Sequence, residues 1–184
     1  MSDIFTKAVP WLTAHSHLLL PLGLSVWMAW GDCRTRRIPN YLTLGGALAG
    51  LGFQLGYHGW PGLVEGLLGM GLGFALLILI YLKGGMGAGD VKALAALGAW
   101  LGPKQTLYLF IYMGIAGGLL ILGVLWWRGL LWLKIRQGWV ALINWCLVRQ
   151  HGAGPAAAPT PPTPGIPYGI ALAAGMAFLF WGAV

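Results

Sequence analysis

The sequence predicts an all-α fold: a polytopic integral membrane bundle of about six transmembrane helices, with its N-terminus outside. Three observations carry this expectation. Of 184 residues, 58% are hydrophobic and only 8% charged, and the mean hydropathy is +0.76. A soluble domain is about a quarter charged and at most about half apolar, so this chain lacks the charge to coat a globule in water. The few charges are also separated by long uncharged stretches. Finally, at roughly 20 residues per crossing plus connections, the length accommodates about five to seven spans. One unit, residues 1–184, is expected, without room for a separate soluble domain.

The uncharged stretches locate the spans. Positions 8–31 hold no Asp, Glu, Lys or Arg, and the first span fills the second half of that stretch, ending near Trp30. Across positions 38–82 the one charge is Glu65. The run Tyr57-His58-Gly59-Trp60-Pro61-Gly62 divides that stretch, because glycine and proline interrupt helices; spans are expected at 41–56 and 62–81. A fourth segment, 91–101, follows Asp90 and ends near Gly102-Pro103. The fifth is 107–127 and the sixth 166–184.

Segment four is short, rising only ~17 Å as a helix against a hydrocarbon core of ~30 Å. The charges decide in favour of its crossing. With six crossings and the N-terminus outside, Arg34, Arg36, Arg37, Lys83, Lys92, Arg128, Lys134, Arg136 and Arg149 all lie inside, and Lys7 and Lys104 outside. That nine-to-two division of the basic residues is what the positive-inside rule requires. The net charge of +7 is therefore a mark of topology and not of nucleic-acid binding. Residues 128–149 place Trp132, Trp139 and Trp145 among Lys134 and Arg136, which predicts a helix at the cytoplasmic headgroup level. Their polar positions do not share one face, so a longer loop or partly inserted hairpin is the alternative. Residues 150–165, with Pro155, Pro159, Pro161, Pro162 and Pro164, predict an extended linker. No cleavable signal peptide is expected, since Asp3 precedes an apolar stretch long enough to span.

The chemistry rests on four carboxylates. Asp3 belongs to a solvated terminus. Glu65 lies one turn into the third span, near the outer interface, where it can reach water or a neighbour. Asp32 follows the last apolar residue of the first span, and Asp90 follows the glycine-rich run Gly84-Gly85-Met86-Gly87-Ala88-Gly89. In this topology both acids sit at the cytoplasmic boundary. They are 58 positions apart, and the two intervening spans form an out-and-back hairpin that returns Asp90 beside Asp32. Two carboxylates in a partly dry site cannot both ionise cheaply, so they share a proton and divide the roles of base and acid. Such a pair activates water against a peptide carbonyl without a metal, a cofactor or a covalent intermediate.

The flanking residues suit that task. Gly87 and Gly89 allow a sharp turn and close approach of another chain, although glycine in membrane helices also serves packing. Asp32 opens the run Asp32-Cys33-Arg34-Thr35-Arg36-Arg37-Ile38-Pro39-Asn40. Pro39 restricts the residue before it and starts the second span, Asn40 is expected to cap that helix, and the arginines anchor topology. Cys33 and Cys146 form no CxxC pair. No histidine adjoins Cys33 in sequence, which points to packing for Cys33 instead of nucleophilic catalysis. His15 and His17 lack a nearby third ligand, so no metal is expected.

With these residues in place, the chain resembles the prepilin peptidase family of GxGD membrane aspartyl proteases. The similarity runs through Asp32 to Asn40, through Gly85-Met86-Gly87-Ala88-Gly89-Asp90-Val91-Lys92 and on to Gly102, and through Ile166-Pro167-Tyr168-Gly169-Ile170-Ala171 in the last span. It omits positions 128–165. The resemblance implies a plasma (inner) membrane protein that cleaves the basic leader of type IV prepilin or pseudopilin precursors at the cytoplasmic face. It also implies catalytic roles for Asp32 and Asp90, and supporting or substrate-binding roles for Gly87, Gly89, Lys92, Arg37, Pro39 and Asn40. Lys92 would tune the pair or contact an acidic substrate residue. Larger family members carry paired CxxC motifs between the first two spans and also N-methylate the trimmed pilin. That loop is short here, which suggests the peptidase-only form associated with tight-adherence (Flp-type) pili and puts methyl transfer in doubt. The resemblance leaves the oligomeric state open.

Three rivals make different demands. A proton-coupled small transporter places relay acids near the midplane, often between repeats, whereas these acids share one boundary. A noncatalytic pilus or secretion assembly subunit leaves Asp32 and Asp90 without a joint role. A protease of the signal-peptide-peptidase type needs Tyr-Asp and Pro-Ala-Leu motifs, which this chain lacks.

Overall fold

The structure, a computed structural model, describes residues 2–35, 38–83, 86–127 and 168–183 and the single positions Gly129, Trp132, Arg136 and Trp139. Among them are four long helices: α1 (Ser2–Thr35), α2 (Asn40–Leu82), α3 (Ala88–Trp127) and α4 (Tyr168–Ala183). The fold is all-α, and α2 and α3 are each long and apolar enough to cross a membrane. The chain divides into two units, residues 1–117 with 167–184, and residues 118–166. In the second unit the described residues are the end of α3, Gly129 at φ 65° and the exposed Trp132, Arg136 and Trp139. The remainder of the expected interfacial stretch 128–149, and all of the expected linker 150–165, lie outside the described residues.

The six expected segments map onto these helices because α2 and α3 are each broken once. Gly59 (φ 64°, ψ −150°) breaks α2 two residues before Pro61, and Gly102 (φ 73°, ψ 174°) breaks α3 directly before Pro103. Positive φ is open to glycine at little cost, and proline removes the donor that would carry the helix across the break. The α2 break is a reversal. A Cβ on Gly62 would meet the carbonyl oxygen of Gln54, and one on Gly66 the side chains of Leu51 and Gln54, so the two arms run back alongside each other.

The second arm of α2 packs on the first arm of α3 through a glycine stripe. Gly66, Gly69 and Gly73 are buried. A Cβ on Gly66 would lie 2.9 Å from the Ala99 carbonyl oxygen, and one on Gly73 2.8 Å from that of Leu94. Gly69 and Gly98 abut backbone to backbone. The spacing of three and then four residues keeps the stripe on one face, where small residues let helix backbones touch. As a result every residue from Val91 to Leu101 except Lys92 is buried.

Trp100 ties the hairpin's first arm to the same core. Its indole lies over Gly50, where a Cβ would come within 2.6 Å of Cδ1, and its Nε1–H donates to the Gly46 carbonyl at 2.8 Å. Gln54 Nε2 donates in return to the Trp100 carbonyl at 2.9 Å, and Phe53 tilts against the indole at 5.3 Å between centroids. Leu24 of α1 reaches Gly46, while α4 meets α3 where Gly175 faces the Met113 backbone and Ala171 faces Gly117. Residues 113 and 117 thus pair with 175 and 171, so α4 runs antiparallel to the second arm of α3.

The first span is expected to end near Trp30, and the helix that carries it continues to Thr35. Its polar last turn holds because Arg34 stacks over the Trp30 ring at 4.8 Å and Thr35 Oγ1 donates to the Gly31 carbonyl at 2.9 Å. Asp32 is therefore a helical residue. Cys33 is exposed and not packed, because one residue along a helix turns it about 100° away from its buried neighbour Asp32.

Candidate active site

Asp32 and Asp90 reach one end of the first unit by separate routes. Asp32 projects from the last turn of α1 and Asp90 from the first turn of α3, each only 8% exposed. The dipeptide Ile38-Pro39 lies between the helix ends that carry them. A Cβ on Gly31, the residue before Asp32, would sit 3.7 Å from Pro39 Cδ, and one on Gly89, the residue before Asp90, 3.4 Å from Ile38 Cβ. Pro39 is extended (φ −63°, ψ 136°) and starts α2, its carbonyl accepting from the amides of Leu42 at 3.1 Å and Thr43 at 3.3 Å.

Asp90 stands ahead of the uncharged stretch of α3, on the polar side of Lys92. Its carboxyl is pushed up to about 6, first by burial and then by the charge of Asp32, while a hydrogen bond from the Gly87 backbone pulls the other way. The two carboxyls are thus near enough to feel each other. Asp90 N–H also closes a turn onto the Gly87 carbonyl at 3.2 Å, and a Cβ on Gly87 would lie 3.3 Å from Asp90 Oδ2. Burial plus a like charge holds a proton on one member of such a pair.

Asp32 is held from a third direction. The backbone N–H of Gly169, in the first turn of α4, donates to Asp32 Oδ2 at 2.9 Å in a buried contact. Glycine is needed there, since a Cβ would lie 2.9 Å from Asp32 Cβ and 3.0 Å from Ala29 Cα.

The remaining expected site residues divide. Lys92 Nζ donates to Asn40 Oδ1 at 3.0 Å, which ties the start of α2 to α3 two residues beyond Asp90. Asn40 is not the cap of α2: the N-cap is Pro39, without a side-chain cap bond, and the Asn40 amide oxygen serves Lys92 instead. Arg37 lies outside the described residues, as does Gly85. Glu65 is exposed beside the Gly102 break, at the end of the second arm of α2 that approaches the turn of the hairpin. Among the described residues no group of three or more His, Cys, Asp or Glu side chains is arranged to hold a metal ion. Sequence reasoning did not place Gly169 or Ile38 at the site, although both stand in the motifs quoted above.

The sequence profile of the type IV leader peptidase family matches residues 19–122, a stretch that contains both acids. The prepilin leader peptidase/N-methyltransferase of Dickeya chrysanthemi is 38% identical over 117 residues, covering 60% of this chain and 40% of its own length. That of Klebsiella pneumoniae is 40% identical over 101 residues, 50% of this chain and 44% of the relative. That of Escherichia coli is 37% identical over 95 residues, 48% and 41% respectively. The chain therefore spans less than half the length of these relatives. No solved structure matches it.

Proposed function

The chain belongs to the type IV leader peptidase family, and from that premise we propose that it is a membrane aspartyl endopeptidase that removes the leader of prepilin-like precursors. The observation that carries the reading is the convergence of Asp32 and Asp90, two buried acids far apart in sequence, at the ends of α1 and α3. A water between them loses a proton to the ionised carboxylate as its oxygen adds to the scissile carbonyl, while the protonated carboxyl donates to the carbonyl oxygen. Collapse of the resulting diol expels the amine, which takes the proton first abstracted.

In the proposed topology α1, the two arms of α2, the two arms of α3 and α4 make six crossings with the N-terminus outside. Both acids then lie at the cytoplasmic face of the inner membrane. The pairings in the fold support alternation: the arms of α2 lie back to back, and α4 runs against the second arm of α3 with its first turn at Asp32. We assign peptidase activity alone, the short form associated with tight-adherence pili. The connection from Thr35 to Asn40 is short, and the chain contains no CxxC pair. Arg37, Pro39, Asn40, Gly87 and Gly89 would frame the entry of the precursor backbone, and Lys92 would tune the pair or contact an acidic residue of the precursor.

Coexpression with prepilin and pseudopilin precursors, followed by N-terminal sequencing of the product, tests the reading. Trimming by the wild type should disappear in Asp32→Asn and in Asp90→Asn, each at wild-type abundance in the membrane. Cleavage that survives both single changes would exclude the paired-acid mechanism.

A further inference from the structure

The two acids are not held alike, and the difference lies in α4. Asp32 accepts a buried hydrogen bond from the Gly169 amide. Asp90 also has a backbone partner, Gly87, but it lies three residues back within its own turn, and burial and the charge of Asp32 outweigh that bond. The Gly169 amide belongs to the first turn of a 16-residue helix, where backbone N–H groups lack intrahelical partners and the helix dipole favours negative charge. An oxygen that accepts from an amide is also a poor seat for a proton.

We propose that Gly169 is a positioning residue that breaks the symmetry of the pair: its amide fixes Asp32 as the general base and leaves the shared proton on Asp90, the general acid. This deepens the peptidase reading and rests on it. Asp32 takes a proton from water as the water oxygen bonds to the scissile carbon, and the Asp90 proton passes to the carbonyl oxygen. On collapse a diol proton returns to Asp90, the proton on Asp32 goes to the leaving nitrogen, and the C–N bond breaks. The pair ends as it began, Asp32 ionised and Asp90 protonated.

Glycine is required because the amide must reach Asp32 while the α4 backbone lies against Ala29. Among the described residues, the charged groups next to the two acids on their own helices are Arg34 of α1, stacked over Trp30, and Lys92 of α3, bonded to Asn40 of α2; Asp3, Lys7, Glu65 and Lys104 stand further along the packed helices, and Lys83 follows α2. The first turn of α4 adds Tyr168, whose ring lies near Gly117.

The test is an ester in place of the Tyr168–Gly169 amide, installed in the full-length chain with glycolic acid at position 169. It removes the N–H and adds no bulk. Gly169→Ala serves as a second variant, and Gly182→Ala, on the same helix with nothing within 4 Å of the added carbon, as the control. Against a prepilin precursor, the ester should lower kcat by about 10- to 100-fold, the range for a hydrogen bond to a charged group, with KM within about twofold. The acidic limb of kcat/KM, which reports the base, should move to higher pH and the alkaline limb stay in place. Gly169→Ala should follow the same direction, and Gly182→Ala should match wild type. An ester variant with wild-type kcat and an unmoved acidic limb overturns the assignment, as does movement of the alkaline limb alone, which would make Asp90 the base. If unmodified protein cleaves no precursor, the peptidase reading falls and this assignment with it.

Discussion

In the proposed mechanism Asp90 joins catalysis and stability at a single carboxyl. Its proton is retained to about pH 6, and the proposed mechanism needs one proton on the pair. The wild-type kcat/KM should therefore fall with unit slope once pH rises past about 6, as measured on detergent-solubilised enzyme. The same shift sets a stability cost. An unfolded carboxyl ionises near 3.8 and the folded one near 6, so the folded state is penalised as pH rises through that window and stays penalised above it. Asp90→Asn lacks the penalty. It should melt at a higher temperature than wild type at neutral pH, by on the order of 1–2 kcal/mol after screening, and lose that advantage below pH about 4. The residues that hold Asp90 were legible in the sequence, because glycines directly before an acid signal a tight backbone approach. Those that hold Asp32 were not. Gly169 lies 137 positions away and carries no side chain to advertise its contact. Asn40 was misread for a related reason: as the first polar residue after Pro39 it looks like a cap, but the extended proline already fills that position.

Helix packing here depends on missing side chains. The second arm of α2 meets α3 backbone to backbone at Gly69 and Gly98, whereas Gly71, two residues along, faces open space. Gly69→Ala should reduce the yield of folded protein sharply, consistent with overpacking costs of ~1–3 kcal/mol or more. Gly71→Ala should leave yield and melting temperature unchanged in a detergent thermal-shift assay. The breaks were readable because Gly59 and Gly102 each stand within two residues of a proline, a combination that punctuates helices in any context. The stripe was not singled out, since 31 glycines offer many spacings and only the partner backbone selects those that matter. The continuation of α1 past Trp30 escaped for another reason: an apolar count stops at the last apolar residue, while a helix stops where its hydrogen bonds do. The stacking of Arg34 on Trp30 and the Thr35 hydrogen bond to Gly31 within the last turn carry it to the edge of the Ile38-Pro39 dipeptide.

Across the whole molecule the proposed orientation has a direct probe in Cys33, exposed next to buried Asp32. In a Cys146→Ser background, a membrane-impermeant thiol reagent should label Cys33 in inverted inner-membrane vesicles and spare it in intact spheroplasts. The opposite pattern would reverse the topology. The all-α class followed from composition, and the division of α2 and of α3 into two arms was readable at Gly59 and Gly102. The mutual burial of those segments depends on pairings no single segment encodes. The first arm of α3 shows what this entails. It is too short to cross a lipid core comfortably and is enclosed by protein over nearly its whole length. In the proposed topology, such a stretch has little tendency to partition from the translocon into lipid by itself. Its entry must be coupled to the second arm of α2, the preceding segment, whose glycine face receives it. Biogenesis would then proceed by pairs of helices, and a fault in that glycine face would appear first as failed insertion of its neighbour, before any loss of proteolysis could be measured.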